Sequence, residues 1–394
     1  MDSLSKLLDL PTSEKESLGL THTLQEILQQ PQTWKATYQK ILGLANPIET
    51  FLRSAGVGRS RQTPLNVFLV GAGTSDYIGK SVCALLQREW GCDVQAIPST
   101  DLLTNMEDYI VSGADYLWIS FSRSGDSSEG VAVLEAALQM YPEIKHLIVT
   151  CNQFGKMARS FQSRENVFSI VLDDAVNDRG LAMTSSFSNM VIVAQALAHI
   201  CSLVAYGATV ETLAASAMQS LPVVASNCER LVNEGFAKVC FLGSGPLKGA
   251  AIESALKVLE LTGGRVLGFA ESFLGVRHGP LSAIDSDTLV VAFLSAEARR
   301  RAFELDLIQE IHDKRLTRKC LQVSPEKLDK TDSFSKHALS FDLRKGISDH
   351  YLPPLFVPVG QLLGLFASLK EGLKPDEPSP QGAINRVVSH ITIH

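Results

Sequence analysis

The chain has 394 residues, 45% apolar and 20% charged, with a formal net charge of −6. That length exceeds one hydrophobic core, so two domains of ordinary size are expected, and the composition is globular rather than disordered. The acidic balance leaves no basic surplus for a nucleic-acid backbone, and seven scattered cysteines without a CxxC pair argue against a disulfide framework or a zinc site.

Residues 1–45 read as an amphipathic helical segment. The first twenty lack the basic and apolar regions of a signal peptide, which points to a cytoplasmic chain. One helix is expected to start near Leu24 and end at Pro31, and a second to run Trp34–Leu52 with Pro47 as a kink or break. The Gly, Ser and Arg of 53–64 mark a linker. Asn66–Val70 is a strand entering Gly71-Ala72-Gly73-Thr74-Ser75, followed by a helix to about Trp90 and a strand at Asp93–Ile97. Tyr116–Ser120 is a strand that runs into Ser122-Arg123-Ser124-Gly125-Asp126-Ser127, where another helix begins. Strands His146–Thr150 and Val167–Leu172 follow, and a long helix from about Ser185 to Tyr206 closes the unit. The apolar run Met190–Tyr206 is interrupted by Gln195, His199 and Ser202, so it reads as a core helix, not a membrane span.

The second half repeats this order. Val239–Leu242 enters Gly243-Ser244-Gly245, strands follow at Thr288–Leu294, Lys319–Val323 and Leu339–Leu343, and helix Leu355–Leu369 closes the copy. Alternating strands and helices predict an α/β fold in two copies, each a parallel sheet with helices on both faces. The expected boundaries are 46–215 for the first domain, 216–375 for the second, and 376–394 for a proline-rich tail that is either disordered or folded back over a site.

Two stretches carry chemistry. The hydroxyls of Ser122, Ser124 and Ser127, with Gly125 and the free N–H groups of a helix start, suit a phosphate. Gly73, Thr74 and Ser75 leave a neighbouring strand toward the same edge, and Arg123 offers a guanidinium fork or points to solvent. The plain alternative is a Ser/Asp helix cap, which would account for Asp126. A dinucleotide site is disfavoured, because Asp76 and Lys248-Gly249 interrupt the glycine fingerprints. In the second copy, Glu253, Lys257 and Glu260 share one helix face, and the chain then passes Glu271 and a turn at His278-Gly279-Pro280. Those residues are either a surface ion pair with a solvated histidine or a proton-transfer set.

Ser122–Ser127 resembles the S-x-S-G-[DE]-[ST] phosphosugar signature of the sugar isomerase (SIS) domain. Glu253-x-x-x-Lys257-x-x-Glu260 followed by His278-Gly279-Pro280-Leu281 is similar to the signature of the isomerase half of glucosamine-6-phosphate synthase. The N-terminal helices, the GAGTS loop, LAMTSSFSNM and the NRVV tail look most like the AgaS family, which covers galactosamine-6-phosphate deaminase/isomerase and tagatose-6-phosphate ketose/aldose isomerase. The resemblance implies two tandem SIS domains of flavodoxin-like three-layer form, each with a five-stranded sheet, and a homodimer or higher oligomer. Ser75, Ser122, Ser124 and Ser127 would hold the sugar phosphate beside Arg123, with Gly73 and Thr74 in the same loop, and Thr184 and Ser185 would line the sugar. Glu260 would move a proton between C1 and C2, Lys257 would keep it ionised, and His278, from a partner subunit, would open the ring. No metal or organic cofactor is implied, and no membrane or nucleic-acid partner.

The synthase's glutamine-hydrolysing domain has no counterpart here, so ammonia is not expected to come from glutamine. Its tail lysine falls near Arg386, which cannot form an imine but could bind the sugar or close the site; His390 and His394 are further tail candidates. The expected reaction is galactosamine 6-phosphate to tagatose 6-phosphate and ammonia. A plain tagatose-6-phosphate isomerase, a glucosamine-6-phosphate or fructosamine-phosphate deaminase, and a non-catalytic phosphosugar sensor are the alternatives.

Overall fold

The computed structural model describes residues 3–58, 64–328, 338–343, 346–388 and 392–393. Five helices come first: α1 (Ser3–Leu8), α2 (Thr12–Leu18), α3 (Thr23–Leu28), α4 (Gln30–Gly43) and α5 (Ala45–Ala55). The first α/β copy then runs β1 (Leu65–Gly71), α6 (Thr74–Trp90), β2 (Asp93–Pro98), α7 (Ser99–Tyr109), β3 (Asp115–Ser122), α8 (Ser128–Met140), β4 (Lys145–Thr150), α9 (Lys156–Arg159), β5 (Val167–Val171) and α10 (Ser185–Ala198). After α11 (Leu203–Glu234) comes the second copy: β6 (Lys238–Gly243), α12 (Pro246–Leu261), β7 (Leu267–Glu271), β8 (Thr288–Phe293), α13 (Ala298–Asp313), β9 (Cys320–Ser324), β10 (Ala338–Ser340) and α14 (Pro353–Lys370).

Each copy contains one five-stranded sheet, ordered β2-β1-β3-β4-β5 in the first and β10-β9-β8-β6-β7 in the second. All strand pairs are parallel. Read from the edge strand, both follow the doubly wound order second-first-third-fourth-fifth, which leaves a crevice at the carboxyl ends of the first and third strands. The expected pair of five-stranded parallel sheets with an N-terminal helical segment is therefore what the chain forms. Strand centres such as Val67, Leu69, Leu117 and Ile119, or Val239, Phe241, Val290 and Val291, are fully buried. Parallel strands covered on both faces read as unbroken apolar runs for this reason.

The two copies repeat a glycine conformation that other residues rarely adopt. Gly73 caps α6 at φ 55°, ψ −125°, and Gly245 caps α12 at φ 56°, ψ −126°. Just before them, a Cβ on Gly71 would meet the Ser75 carbonyl carbon at 2.4 Å, and one on Gly243 the Leu247 oxygen at 2.4 Å. In both copies the helix starts directly over the strand end, and only glycine lets the backbone come that close.

Residues 32–178, 185–210 and 384–394 form one compact unit around the first sheet; 1–31, 179–184 and 211–383 form another around the second. Several expected element boundaries move. The predicted Ser185–Tyr206 helix stops at Ala198, a short 3-10 turn covers Ile200–Ser202, and a new helix of 32 residues begins at Leu203. Pro31 opens α4 instead of only ending its predecessor, as suits a residue without an N–H in a first turn. The Trp34–Leu52 helix breaks at Leu44, ahead of Pro47. The strand expected at Leu339–Leu343 is Ala338–Ser340. Every residue of α10 is buried, as a core helix requires. Ile200–Glu234 is long and apolar enough to cross a bilayer by length and composition, and half of its most apolar window is buried in the fold.

Candidate functional site

In the first unit, the loop after β3 is built to present hydroxyls. Ser122 Oγ accepts from Gly125 N at 3.0 Å and Ser124 Oγ from Asp126 N at 3.2 Å. Each hydroxyl therefore keeps its own hydrogen for a ligand. Gly125 sits at φ 65°, and a Cβ there would press on Thr150 Oγ1 at 3.1 Å. Ser127 caps α8 without a side-chain cap bond, so the helix start keeps backbone donors of the kind that attract anions. Asp126 does not cap α8. It accepts from Lys156 N at 2.8 Å and Asn152 Nδ2 at 3.3 Å, tying the loop to the segment after β4. Asn152 also donates to Ser124 O at 2.8 Å.

Thr74 and Ser75, both buried, begin α6 at the end of β1, the hydrogen-bonded neighbour of β3. Asp76 is buried and ion-paired with Lys80 at 2.6 Å, and burial pushes its carboxyl pKa up. Ser185 is fully buried, and its N–H donates to Asp178 Oδ1 at 3.0 Å, while Asp178 Oδ2 takes Ser186 N at 2.9 Å.

The tail returns to this unit. The Arg123 guanidinium donates to the Arg386 carbonyl, and Ser128 N donates to Val388 O at 3.3 Å. Arg386 spends its own guanidinium on the Asp178 carbonyl, at 2.8 Å from Nε, and on Asn177 Oδ1 at 2.9 Å. That geometry makes it an anchor of the tail. Ser127 sits where α8 begins, and Gly73 where α6 begins. His390 and His394 lie outside the described residues.

In the second unit, α12 places Glu253 and Lys257 side by side with no exposed surface on either side chain. A surface ion pair is thereby ruled out. Lys257 Nζ lies 3.4 Å from Glu253 Oε1 and is hydrogen-bonded to Glu260, whose side chain is 22% exposed. Burial alone would pull the lysine pKa down, but the Glu253 and Glu260 charges outweigh it and hold the ammonium above its ordinary value. Glu253 and Lys257 are buried because α14 and β7 come so close. A Cβ on Gly360 would meet Ser254 Cβ at 2.3 Å, one on Gly364 the Lys257 oxygen at 2.9 Å, and one on Gly268 the Ala255 oxygen at 2.2 Å.

His278 ends a short 3-10 turn and is exposed. Beside it, Arg277 Nε binds Glu310 at 2.6 Å. Glu271 pairs with Lys248, which lowers its carboxyl pKa. Thr184, in the same unit, is fully buried, and its carbonyl takes Gln361 Nε2 at 3.3 Å. Among the described residues, no group of three or more His, Cys, Asp or Glu could hold a metal ion.

Asn152, Asp178 and Asn177 were not singled out from sequence. Asn152 lies two residues after a strand, a detectable signal; Asp178 and Asn177 lie in a loop with no periodicity to flag them.

No family model matches the chain. It is 36% identical over 386 residues to the D-galactosamine-6-phosphate deaminase AgaS of Escherichia coli O157:H7, covering 95% of this chain and 96% of the relative. A solved structure from Clostridium novyi NT, described as a candidate tagatose-6-phosphate ketose/aldose isomerase, superposes with a TM-score of 0.91 at 32% identity, covering 96% of both chains. The tagatose-6-phosphate ketose/aldose isomerase of Escherichia coli superposes with a TM-score of 0.84 at 32% identity, over 94% of this chain and 96% of that one.

Proposed function

The chain belongs to the AgaS family, and from that premise we propose that this phosphosugar isomerase/deaminase converts D-galactosamine 6-phosphate and water to D-tagatose 6-phosphate and ammonia. The observation that carries the reading is the buried Lys257 between Glu253 and Glu260, with Glu260 alone of the three partly open to solvent. A lysine placed so donates to Glu260 and orients its carboxyl group for the proton transfer.

The phosphate is held by the hydroxyls of Ser75, Ser122, Ser124 and Ser127 and by the start of α8, with Gly73 and Thr74 shaping the β1 loop. Arg123 and Arg386 close the tail over that loop, and Thr184 and Ser185 position the sugar end. His278, supplied by a partner subunit in a homodimer or larger oligomer, moves the proton that opens the ring. Glu260 then takes the hydrogen from C2, giving an enolamine, and returns it to C1. The resulting C2 imine is hydrolysed by water, which releases ammonia and leaves the ketone. The chain would work in the cytoplasm on a phosphorylated sugar, with residues 46–215 serving the phosphate and 216–375 the proton transfer.

The test is ammonia release from galactosamine 6-phosphate by the purified chain. Turnover at least tenfold faster than with glucosamine 6-phosphate supports the assignment; equal turnover of the two sugars refutes it. The name of the Escherichia coli structural relative favours a second reading, plain tagatose-6-phosphate isomerisation, which is separated by the absence of ammonia.

A further inference from the structure

The second sheet has its own crevice at the carboxyl ends of β6 and β8, entered through a Gly245 conformation matching that of Gly73. Its donors are already engaged. Asp349, 3% exposed, accepts from Ala296 N at 2.6 Å through Oδ1 and from Ser295 Oγ at 2.5 Å through Oδ2. The Arg300 guanidinium, from the first turn of α13, ion-pairs with the same Oδ2. A backbone amide, a hydroxyl and a guanidinium converging on two oxygens at a strand-to-helix junction is the donor set that binds a phosphate monoester.

Ser295 N donates to Glu304 Oε2 at 2.7 Å. Glu304 is fully buried behind that bond. The corresponding acid of the first copy behaves differently. Asp178, also between the fifth strand and the closing helix, accepts from the backbone N–H groups of Ser185 and Ser186 at the start of that helix.

We propose that the carboxyl end of the second sheet is an oxyanion site, of the class that takes a phosphate group, whose ligand in this chain is the Asp349 carboxylate. The two copies then share one architecture, and the internal acid reserves phosphosugar binding for the first. Burial raises the Glu304 carboxyl to about 7, so near neutrality it is only partly charged beside Asp349, while the Glu297 carboxylate is held by Arg299 N and Arg300 N at the start of α13.

The probe is inorganic phosphate, titrated calorimetrically into the full chain at constant ionic strength. Asp349→Ala should bind one more equivalent per chain than wild type, and Asp349→Ala/Arg300→Ala should lose that equivalent. Folded Asp349→Ala with wild-type stoichiometry overturns the proposal. If the alanine variant does not fold, Asp349→Ser vacates the place of the carboxylate and keeps a small polar side chain there. Its melting temperature should then rise with phosphate by at least about twice the wild-type shift; equal shifts overturn the proposal. Neither result bears on ammonia release by wild type, so the two readings fail separately.

Discussion

Glu304→Gln tests the electrostatics of the second unit. Burial, with a smaller contribution from the Asp349 charge, pushes the Glu304 carboxyl from its usual 4.5 up to about 7, against the opposing hydrogen bond from Ser295 N. The unfolded chain releases this proton near 4.5 and the folded chain only near 7. Between those values the folded state binds the extra proton, so this group favours folding at low pH and the benefit is lost as pH rises through 7. A shift of roughly 2.5 units at about 1.4 kcal/mol each makes the full swing about 3.5 kcal/mol. Glutamine keeps an acceptor for Ser295 N but does not titrate. Urea unfolding of both proteins at pH 5 and pH 8 isolates the effect, since the other carboxylates are common to both. Glu304→Gln should gain about 2.5 kcal/mol relative to wild type between the two pH values, since pH 5 already lies above the unfolded pKa. Parallel stability curves would show that Glu304 titrates normally and that its burial has been misjudged.

Lys257→Met leaves Glu253 buried without its cation and should cost about 3–5 kcal/mol in urea unfolding, whereas Lys257→Met/Glu253→Leu should recover much of that loss; a single variant as stable as wild type contradicts the burial of the Glu253–Lys257 pair. Gly364→Ala drives a Cβ into the Lys257 carbonyl, so it should destabilise by about 1–3 kcal/mol and lower kcat more than it raises KM. Ser124→Ala removes one donor to a charged ligand, which predicts a loss of about 1.5–3 kcal/mol in binding, seen as a roughly tenfold or greater rise in KM with kcat little changed.

The sheets were legible because buried parallel strands are short apolar runs ended by glycine, and the Ser122 loop because hydroxyls there follow a strand directly. β7 was not located. Its Leu-Gly-Phe-Ala-Glu is brief, and Gly268 reads as a turn, although it is there to let the strand pass the Ala255 carbonyl. The break at His199 was missed because the apolar run continues through it into α11. The i, i+4 spacing of Glu253 and Lys257 is the same on a surface as in a core; only the approach of Gly360 and Gly364 makes the pair buried. Asp349 reaches its partners across about fifty residues of chain, a relation that no local pattern encodes.

Solvent-deuterium incorporation at C1 of the tagatose 6-phosphate formed from galactosamine 6-phosphate, followed by proton NMR with wild type and Glu260→Gln, tests the proton transfer directly. Wild type should introduce deuterium during turnover, and the glutamine variant, still able to bind the phosphosugar, should slow exchange by about 10²-fold or more. Exchange by Glu260→Gln at the wild-type rate would contradict the assignment of that carboxylate as the group that carries the hydrogen.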